Sequence, residues 1–298
     1  YYFGWYIQYL KVINKYYPNK EPFFAIVFHP IFFFGMSIQK LWKNIKFVYW
    51  VGDYFPGTNR IIIMFEKLKK FYHGQVTYAC YASDIINKIM NGKVLESNIR
   101  KTVMMGVKPE AIIRTFDRNN FNILFVGLIK ESQGLELFYD FLKVNKEYKL
   151  KVIGVCEKKL YAKHMGIIKR YRIDSQVYFP NKFFSGEELS EISRECQIGI
   201  ALYIADKSNV TYYTDPGKVK TYTELGLPVI MSDIPSIAPY ILKFKAGEIV
   251  DRNKSSLSYA LKKIRDNYPK YIDGVDKFNK YFYFEDYYRE RFKFLEKV

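Results

Sequence analysis

The sequence predicts an α/β protein of two successive domains, each a parallel sheet covered on both faces by helices in the doubly wound manner. Short apolar runs alternate with helix-period stretches along nearly the whole chain, the pattern of parallel strands joined by helical crossovers. The alternation breaks between Asn98 and Asn120 and then starts again. A length of 298 residues, 49% of them hydrophobic, is enough for two cores at roughly 100–200 residues per domain.

In the first series, Tyr1 to Tyr17 carries apolar residues at helical spacing and stops at Pro18-Asn19-Lys20. Phe23–Phe28 then reads as a buried strand, Ile31–Lys43 as a helix, Lys46–Val51 as a strand and Ile61–Phe71 as a helix. Val76–Tyr81 is a further strand, followed by a helix from Asp84 towards Asn91 with Ser83 or Asp84 as its cap. Lys101–Met105 makes a last short strand. Gly106-Val107-Lys108-Pro109 and Asp117-Arg118-Asn119-Asn120 read as a connection, which sets domain ranges of 1–116 and 117–280.

The second series has strands at Asn122–Val126, Lys149–Ile153, Gln176–Phe179, Gln197–Leu202, Pro228–Ser232 and Glu248–Val250. Helices lie between and after them at Leu135–Val144, Lys158–Arg170, Glu187–Arg194, Pro216–Leu225, Ile237–Leu242 and Ser255–Asn267. Ser185 and Glu188 have the spacing of a capping box. A terminal amphipathic helix is expected over Tyr281–Lys297, within a last segment 281–298 that could cross back to the first domain.

A net charge of +17 and a pI near 9.4 call for an anionic partner: nucleic acid, an acidic membrane surface or a phosphorylated substrate. The aromatics are spread from end to end instead of alternating with basic residues, which argues against a base-stacking surface. Cys80, Cys156 and Cys196 are far apart, so neither a disulfide framework nor a zinc site is indicated, and a reducing cytoplasmic setting fits. No GxGxxG or Walker A loop occurs. The longest apolar run, Phe23–Met36, contains His29 and Pro30 and is too short to cross a bilayer.

The stretch from Ile198 to Asp233 holds the strongest site signal. It reads as a buried strand, a loop, a helix and a strand, with Asp215 as N-cap, Pro216 at the first helical position and Gly226 just past the end. Such a helix aims unpaired N–H groups and a partial positive charge at the space above the preceding strand, and Lys218 adds a full charge. A phosphate site is expected there.

Residue by residue, the chain resembles the GT-B glycosyltransferases, in particular the group 1 or family 4 members. Asp215-Pro216-Gly217-Lys218-Val219-Lys220-Thr221-Tyr222 through Gly226-Leu227-Pro228-Val229-Ile230 is similar to the family's donor-site helix and following strand. Phe125-Val126-Gly127 with Gly134-Leu135 is similar to the opening of its donor domain, and Gly106-Val107 to its linker. Val48 to Pro56 is similar to an acceptor-domain strand entering the active-site loop. The resemblance implies two Rossmann-like domains, the first incomplete if the chain starts at Tyr1.

It further implies transfer of a hexosyl group, with retention, from a UDP- or GDP-sugar to a saccharide or lipid-linked acceptor in glycan or polysaccharide synthesis, without a required cofactor or metal. On the donor side it points to Gly127, Lys130, Asn181, Tyr203, Asn209, Asp215, Gly217, Lys218 and Thr221. On the acceptor side Asp53 and His29 follow strand ends; Asp53 is either a base or hydroxyl-orienting group or the cap of a turn before Pro56, and His29 is either catalytic or a packing residue. The chain departs from the family at the usual arginine and lysine that grip the pyrophosphate, where it has Leu128 and Gln133. It departs again at the usual pair of glutamates, where it has Tyr213 and Thr221. A non-catalytic GT-B subunit is therefore the alternative, and a nucleic-acid binder, for which no motif speaks, comes third. Basic residues beside aromatics in the first domain, among them Lys67, Lys69 and Lys70 with Phe65 and Phe71, also suit peripheral docking on an anionic membrane at its inner face.

Overall fold

The structure, a computed structural model, describes residues 23–28, 45–57, 59–110, 116, 121–204 and 206–297, together with 4, 7, 8, 11, 12 and 15. The helix expected over Ile31–Lys43, most of the one over Tyr1–Tyr17, and His29 lie outside the described residues. The chain divides into two compact units: Tyr1–Met104 with Lys207–Thr214 and Arg291–Val298, and Met105–Asp206 with Asp215–Glu290.

The first unit holds a four-stranded parallel sheet in the order β1 (Phe23–Val27), β2 (Ile45–Val51), β3 (Tyr78–Tyr81), β4 (Arg100–Thr102). Helix α1 (Arg60–His73) joins β2 to β3, and α2 (Asp84–Asn91) joins β3 to β4. Side-chain oxygens stop both helices from starting elsewhere: Asn59 accepts from Ile61 N, and Ser83 accepts from Ile86 N. Ser83, not Asp84, is thus the cap. Tyr49, Val51, Ala79, Tyr81 and Ile86 form the core of this unit.

The second unit is a six-stranded parallel sheet in the order β10-β9-β8-β5-β6-β7, from β5 (Phe121–Val126), β6 (Tyr148–Ile153), β7 (Val177–Tyr178), β8 (Ile198–Ala201), β9 (Val229–Met231) and β10 (Gly247–Ile249). Helices α3 (Leu135–Val144), α4 (Lys158–Tyr171) and α8 (Lys254–Asp266) pack together in one layer. Helices α6 (Gly217–Glu224), α7 (Ala238–Phe244) and α9 (Tyr268–Tyr281) pack in another, and α5 (Gly186–Ser193) begins with the expected Ser185–Glu188 capping box. The apolar runs read as strands are buried on both faces, as Ile198–Ala201 shows at every position. Both sheets are parallel α/β arrangements, as the sequence predicts.

Two elements differ from expectation. Helix α9 is not among the expected elements; Pro269 lies in its first turn, where no N–H is needed. A side-chain carbon on Gly274 would stand 2.2 Å from the Lys245 carbonyl oxygen, so the glycine marks a close approach and not a break. The terminal helix is shorter than expected, as α10 (Phe284–Phe292) followed by a 3-10 turn over Lys293–Lys297.

Strand order places the site. Chain progression runs outward from β5 through β6 to β7 and, after the crossover, from β8 through β9 to β10. The reversal lies between β5 and β8. In an open α/β sheet the crevice beyond the carboxyl ends of such neighbouring strands is where ligands bind.

Candidate functional site

Beyond β5 the chain turns at Gly127, whose φ of +114° excludes most side chains. Its N–H donates to Ile153 O at 2.9 Å, and a side-chain carbon on Gly154 would meet the Gly127 carbonyl oxygen at 1.9 Å. The ends of β5 and β6 are thereby held backbone to backbone. The loop continues through exposed Leu128, buried Ile129 and exposed Lys130 into a 3-10 turn, Glu131–Gln133. It closes at Gly134, also left-handed with φ +70°, where α3 begins.

Helix α6 stands after β8, and its start differs from the expected one. Pro216, not Asp215, occupies the N-cap position, and no side chain caps the helix. The N–H of Val219 turns back onto Pro216 O at 3.0 Å, which leaves those of Gly217 and Lys218 at the open end of the helix, where no intrahelical acceptor precedes them. The carboxylate of Asp215 has been drawn elsewhere. Its Oδ2 accepts from Met105 N at 2.7 Å and lies 3.8 Å from Lys220 Nζ. Both of these side chains are buried, and a buried ammonium demands a counter-charge more strongly than a helix end demands a cap. Burial raises the Asp215 carboxyl and lowers the Lys220 ammonium, while each charge opposes the shift of the other. Lys220 also stands at the i, i+4 spacing of a surface pair with Glu224, yet each is engaged elsewhere: Lys220 packs over the Phe282 ring at 3.3 Å, and Glu224 Oε1 accepts from Lys108 N at 2.8 Å. Gly226, with φ +69°, ends the helix as expected.

Lys218 reaches back over the end of β5. Its Nζ stands 3.8 Å from the centre of the Phe125 ring and 5.6 Å from that of Tyr203. A side-chain carbon on Gly127 would lie 3.4 Å from Lys218 Cε. The residue is half-buried, but its Nζ is sealed from solvent and has no hydrogen-bond partner. Burial pulls this ammonium down to about 7, from the usual 10.5. Aromatic faces compensate it only in part. The Tyr203 hydroxyl is shifted up by burial and by the charge of Asp215, so it stays protonated.

Below this group Tyr222 joins the two central strands. Its hydroxyl donates to Ile200 O at 2.8 Å and accepts from Val126 N at 2.9 Å. Only a glycine at 199 leaves room for its ring, because a side-chain carbon there would stand 2.2 Å from it. Opposite, Arg252, in the loop after β10, faces the far end of the β5 loop: a side-chain carbon on Gly134 would lie 3.2 Å from its Nη2. Neither Tyr222 nor Arg252 was singled out from the sequence. Tyr222 stood in the helix motif without a role of its own, and a lone loop arginine has no periodicity to mark it.

Among the remaining candidates, Gly217 opens α6 and Thr221 is half-buried one turn further on. Asn181, left-handed with φ +52°, accepts from Cys156 N at 2.8 Å and so fixes the loop after β6 with its side chain. Asn209 belongs to the first unit, where its Oδ1 caps a 3-10 turn by accepting from Thr211 N and Oγ1. Asp53, in the first unit too, has an exposed side chain, and its carbonyl accepts from Lys69 Nζ at 2.5 Å. The structure thus gathers Gly127, Tyr203, Gly217 and Lys218 at one strand-end crevice, with Asp215 behind them.

Solved structures share this architecture. The chain is similar to the sucrose-phosphate synthase of Thermosynechococcus elongatus, with a TM-score of 0.71 and 12% identity over 97% of this chain and 77% of that one. It is similar to the lipopolysaccharide outer core galactosyltransferase WaaB, with a TM-score of 0.71 and 14% identity over 99% of this chain and 81% of that one. Anabaena HepE in complex with UDP gives a TM-score of 0.70 and 12% identity, over 98% and 82%. The fold is GT-B. At such identities the likeness speaks for the fold alone. No protein-family model and no curated protein sequence matches the chain.

Proposed function

We propose that the protein is a glycosyltransferase that moves a hexosyl group from a nucleoside-diphosphate sugar to a saccharide or lipid-linked acceptor. The observation that carries this is the α6 N-terminus. It is uncapped, stands at the switch point of the second sheet and is accompanied by a sealed lysine ammonium without a hydrogen-bond partner. An anion is the ligand that both features lack. As the bond between the anomeric carbon and the diphosphate oxygen breaks, negative charge grows on the leaving diphosphate. In this reading the N–H groups at the open end of α6 and the Lys218 ammonium stabilise it. HepE, solved with UDP and with UDP-glucose, supports a uridine donor, with a guanosine donor the alternative.

The acceptor side is proposed from the first unit, with Asp53 as the group that orients or deprotonates the acceptor hydroxyl. Helix α1 suits a membrane-borne acceptor. Its outward stripe joins Ile63, Met64 and Phe71 with Arg60, Lys67 and Lys70, while its one acid, Glu66, is turned inward onto Lys69 at 2.9 Å. The positive, acid-free stripe with large apolar tips matches an anionic lipid surface. Among the described residues no helix is long and apolar enough to cross a membrane.

The test is a thermal-shift screen against UDP- and GDP-sugars, followed by transfer assays with the donors that bind. Stabilisation together with turnover is expected. Binding without turnover over a broad acceptor panel favours a non-catalytic subunit, and indifference to every nucleotide refutes the proposal.

A further inference from the structure

The loop that joins β5 to α3 has a left-handed glycine at each end, and each glycine faces one cation from a distant part of the chain. Lys218 lies over Gly127, and Arg252 lies against Gly134. The loop itself contributes little positive charge to the crevice. Leu128 and Gln133 are neutral, and Lys130 is exposed. A nucleoside diphosphate carries at least two negative charges, whereas a helix end offers about half a unit. Lys218 with α6 therefore leaves part of that charge uncompensated. We infer that Arg252 supplies the second cation and grips the diphosphate of the donor from the Gly134 side.

The mounting of Arg252 favours this role. Asn253, next in the chain, caps α8 by accepting from Ser256 N at 2.9 Å. Asp251 N donates to Ser256 Oγ at 3.2 Å, and Asn253 N donates to Asp251 O at 2.7 Å. The backbone on both sides of Arg252 is thus pinned, so the side chain is projected from a fixed base. The same hypothetical carbon on Gly134 that approaches Arg252 Nη2 approaches Leu202, at the end of β8, at 3.4 Å. The guanidinium consequently belongs to the rim of the crevice between the central strands. A planar fork of donors suits the paired oxygens of a diphosphate better than a point charge does. A side-chain carbon on Gly134 would oblige the fork to give way by a few tenths of an ångström.

The inference rests on the proposed nucleotide-sugar site, and the experiment separates the two. Binding of UDP, UMP and uridine, with GDP in parallel, is measured calorimetrically for the wild type, Arg252→Gln and Arg252→Lys. Arg252→Gln is expected to weaken UDP binding about 10- to 100-fold, the range for a lost charge-assisted hydrogen bond. It should weaken UMP less and leave uridine unchanged, with Arg252→Lys in between. Gln133→Lys added to Arg252→Gln is expected to restore UDP affinity by returning a cation to the same loop. Unchanged UDP binding in Arg252→Gln, or equal loss of UDP and uridine, overturns the role of Arg252 while the site stands. If the wild type binds no nucleoside diphosphate, the functional proposal falls, and this inference with it.

Discussion

Raising the pH from 7 to 9 should weaken nucleoside-diphosphate binding through one identifiable group. In the free protein, burial holds the Lys218 ammonium near 7, against 10.5 when unperturbed. A bound diphosphate offers the missing counter-charge and returns the group towards its ordinary value. Binding then takes up a proton wherever the free lysine is neutral and the bound one charged. The sign follows: affinity is greatest below the free-state value and falls as pH rises above it. With one such proton the dissociation constant scales as 1 + 10^(pH − pKa), which for a pKa of about 7 gives a loss of roughly 50-fold between pH 7 and pH 9. That corresponds to about 2.3 kcal/mol. The window avoids the terminal phosphate, whose own ionisation lies near 6.

The assay is calorimetric titration of UDP at pH 7, 8 and 9 in buffers of different ionisation enthalpy, which counts the protons directly. The groups around Lys218 Nζ do not obscure the result. Phe125 and Gly127 do not titrate, and the hydroxyls of Tyr203 and Tyr222 are pushed upward by burial. Burial lowers the Lys220 ammonium to about 8, within the same window, but it faces Asp215 and the Phe282 ring. Lys218→Met separates the two, since it removes one ammonium and keeps the other. A wild-type profile flat to within about 2-fold would refute the reasoning, as would an unchanged slope in Lys218→Met.

Three further perturbations test the frame around the site. Asp215→Asn strips the counter-charge from buried Lys220 and should lower stability in urea by about 3–5 kcal/mol, whereas the double change with Lys220→Met should recover much of that loss. Gly199→Ala puts a methyl group 2.2 Å from the Tyr222 ring and should cost about 1–3 kcal/mol in the same assay; a neutral effect would show that Tyr222 is free to move. On helix α1, where Ile61, Met64 and Phe71 are 70, 58 and 60% exposed, the chain should cosediment with anionic but not neutral vesicles. The triple variant Met64→Ser, Phe71→Ser, Lys67→Glu should abolish that cosedimentation, as high salt should weaken it. Equal indifference to both vesicle types removes the membrane proposal.

The strands were legible because burial on both faces leaves a simple mark: Phe121–Val126 and Ile198–Ala201 are nearly unbroken apolar runs. Local chemistry was legible too, as the Ser185–Glu188 capping box and left-handed Gly226 show. What was not legible depends on residues far apart in sequence. Asp215 has the composition of an N-cap, and no neighbour in the sequence reveals that buried Lys220 and Met105 N compete for its carboxylate. Lys220 itself sits at surface-pair spacing from Glu224, a local pattern that tertiary packing overrides. Arg252 belongs to no pattern at all. Only the sheet order, which brings the ends of β5, β8 and β10 to one edge, gives it a neighbour worth naming.

The two cations of the crevice also differ in kind, and the difference bears on how the site would work. A sealed ammonium near 7 is neutral in part of the free molecules at physiological pH, so it costs the empty site less than a fixed charge would. It becomes fully charged when the anion arrives. Arginine cannot adjust in this way, because its guanidinium keeps its proton throughout. Arg252 accordingly belongs at the more open rim, where the residue is only half-buried, and Lys218 belongs over the Phe125 ring, where its Nζ is sealed. The assignment carries its own check. As pH rises, binding should not vanish but level off at the affinity of Lys218→Met, because one cation remains; if it falls below that level, a group other than Lys218 is losing its proton.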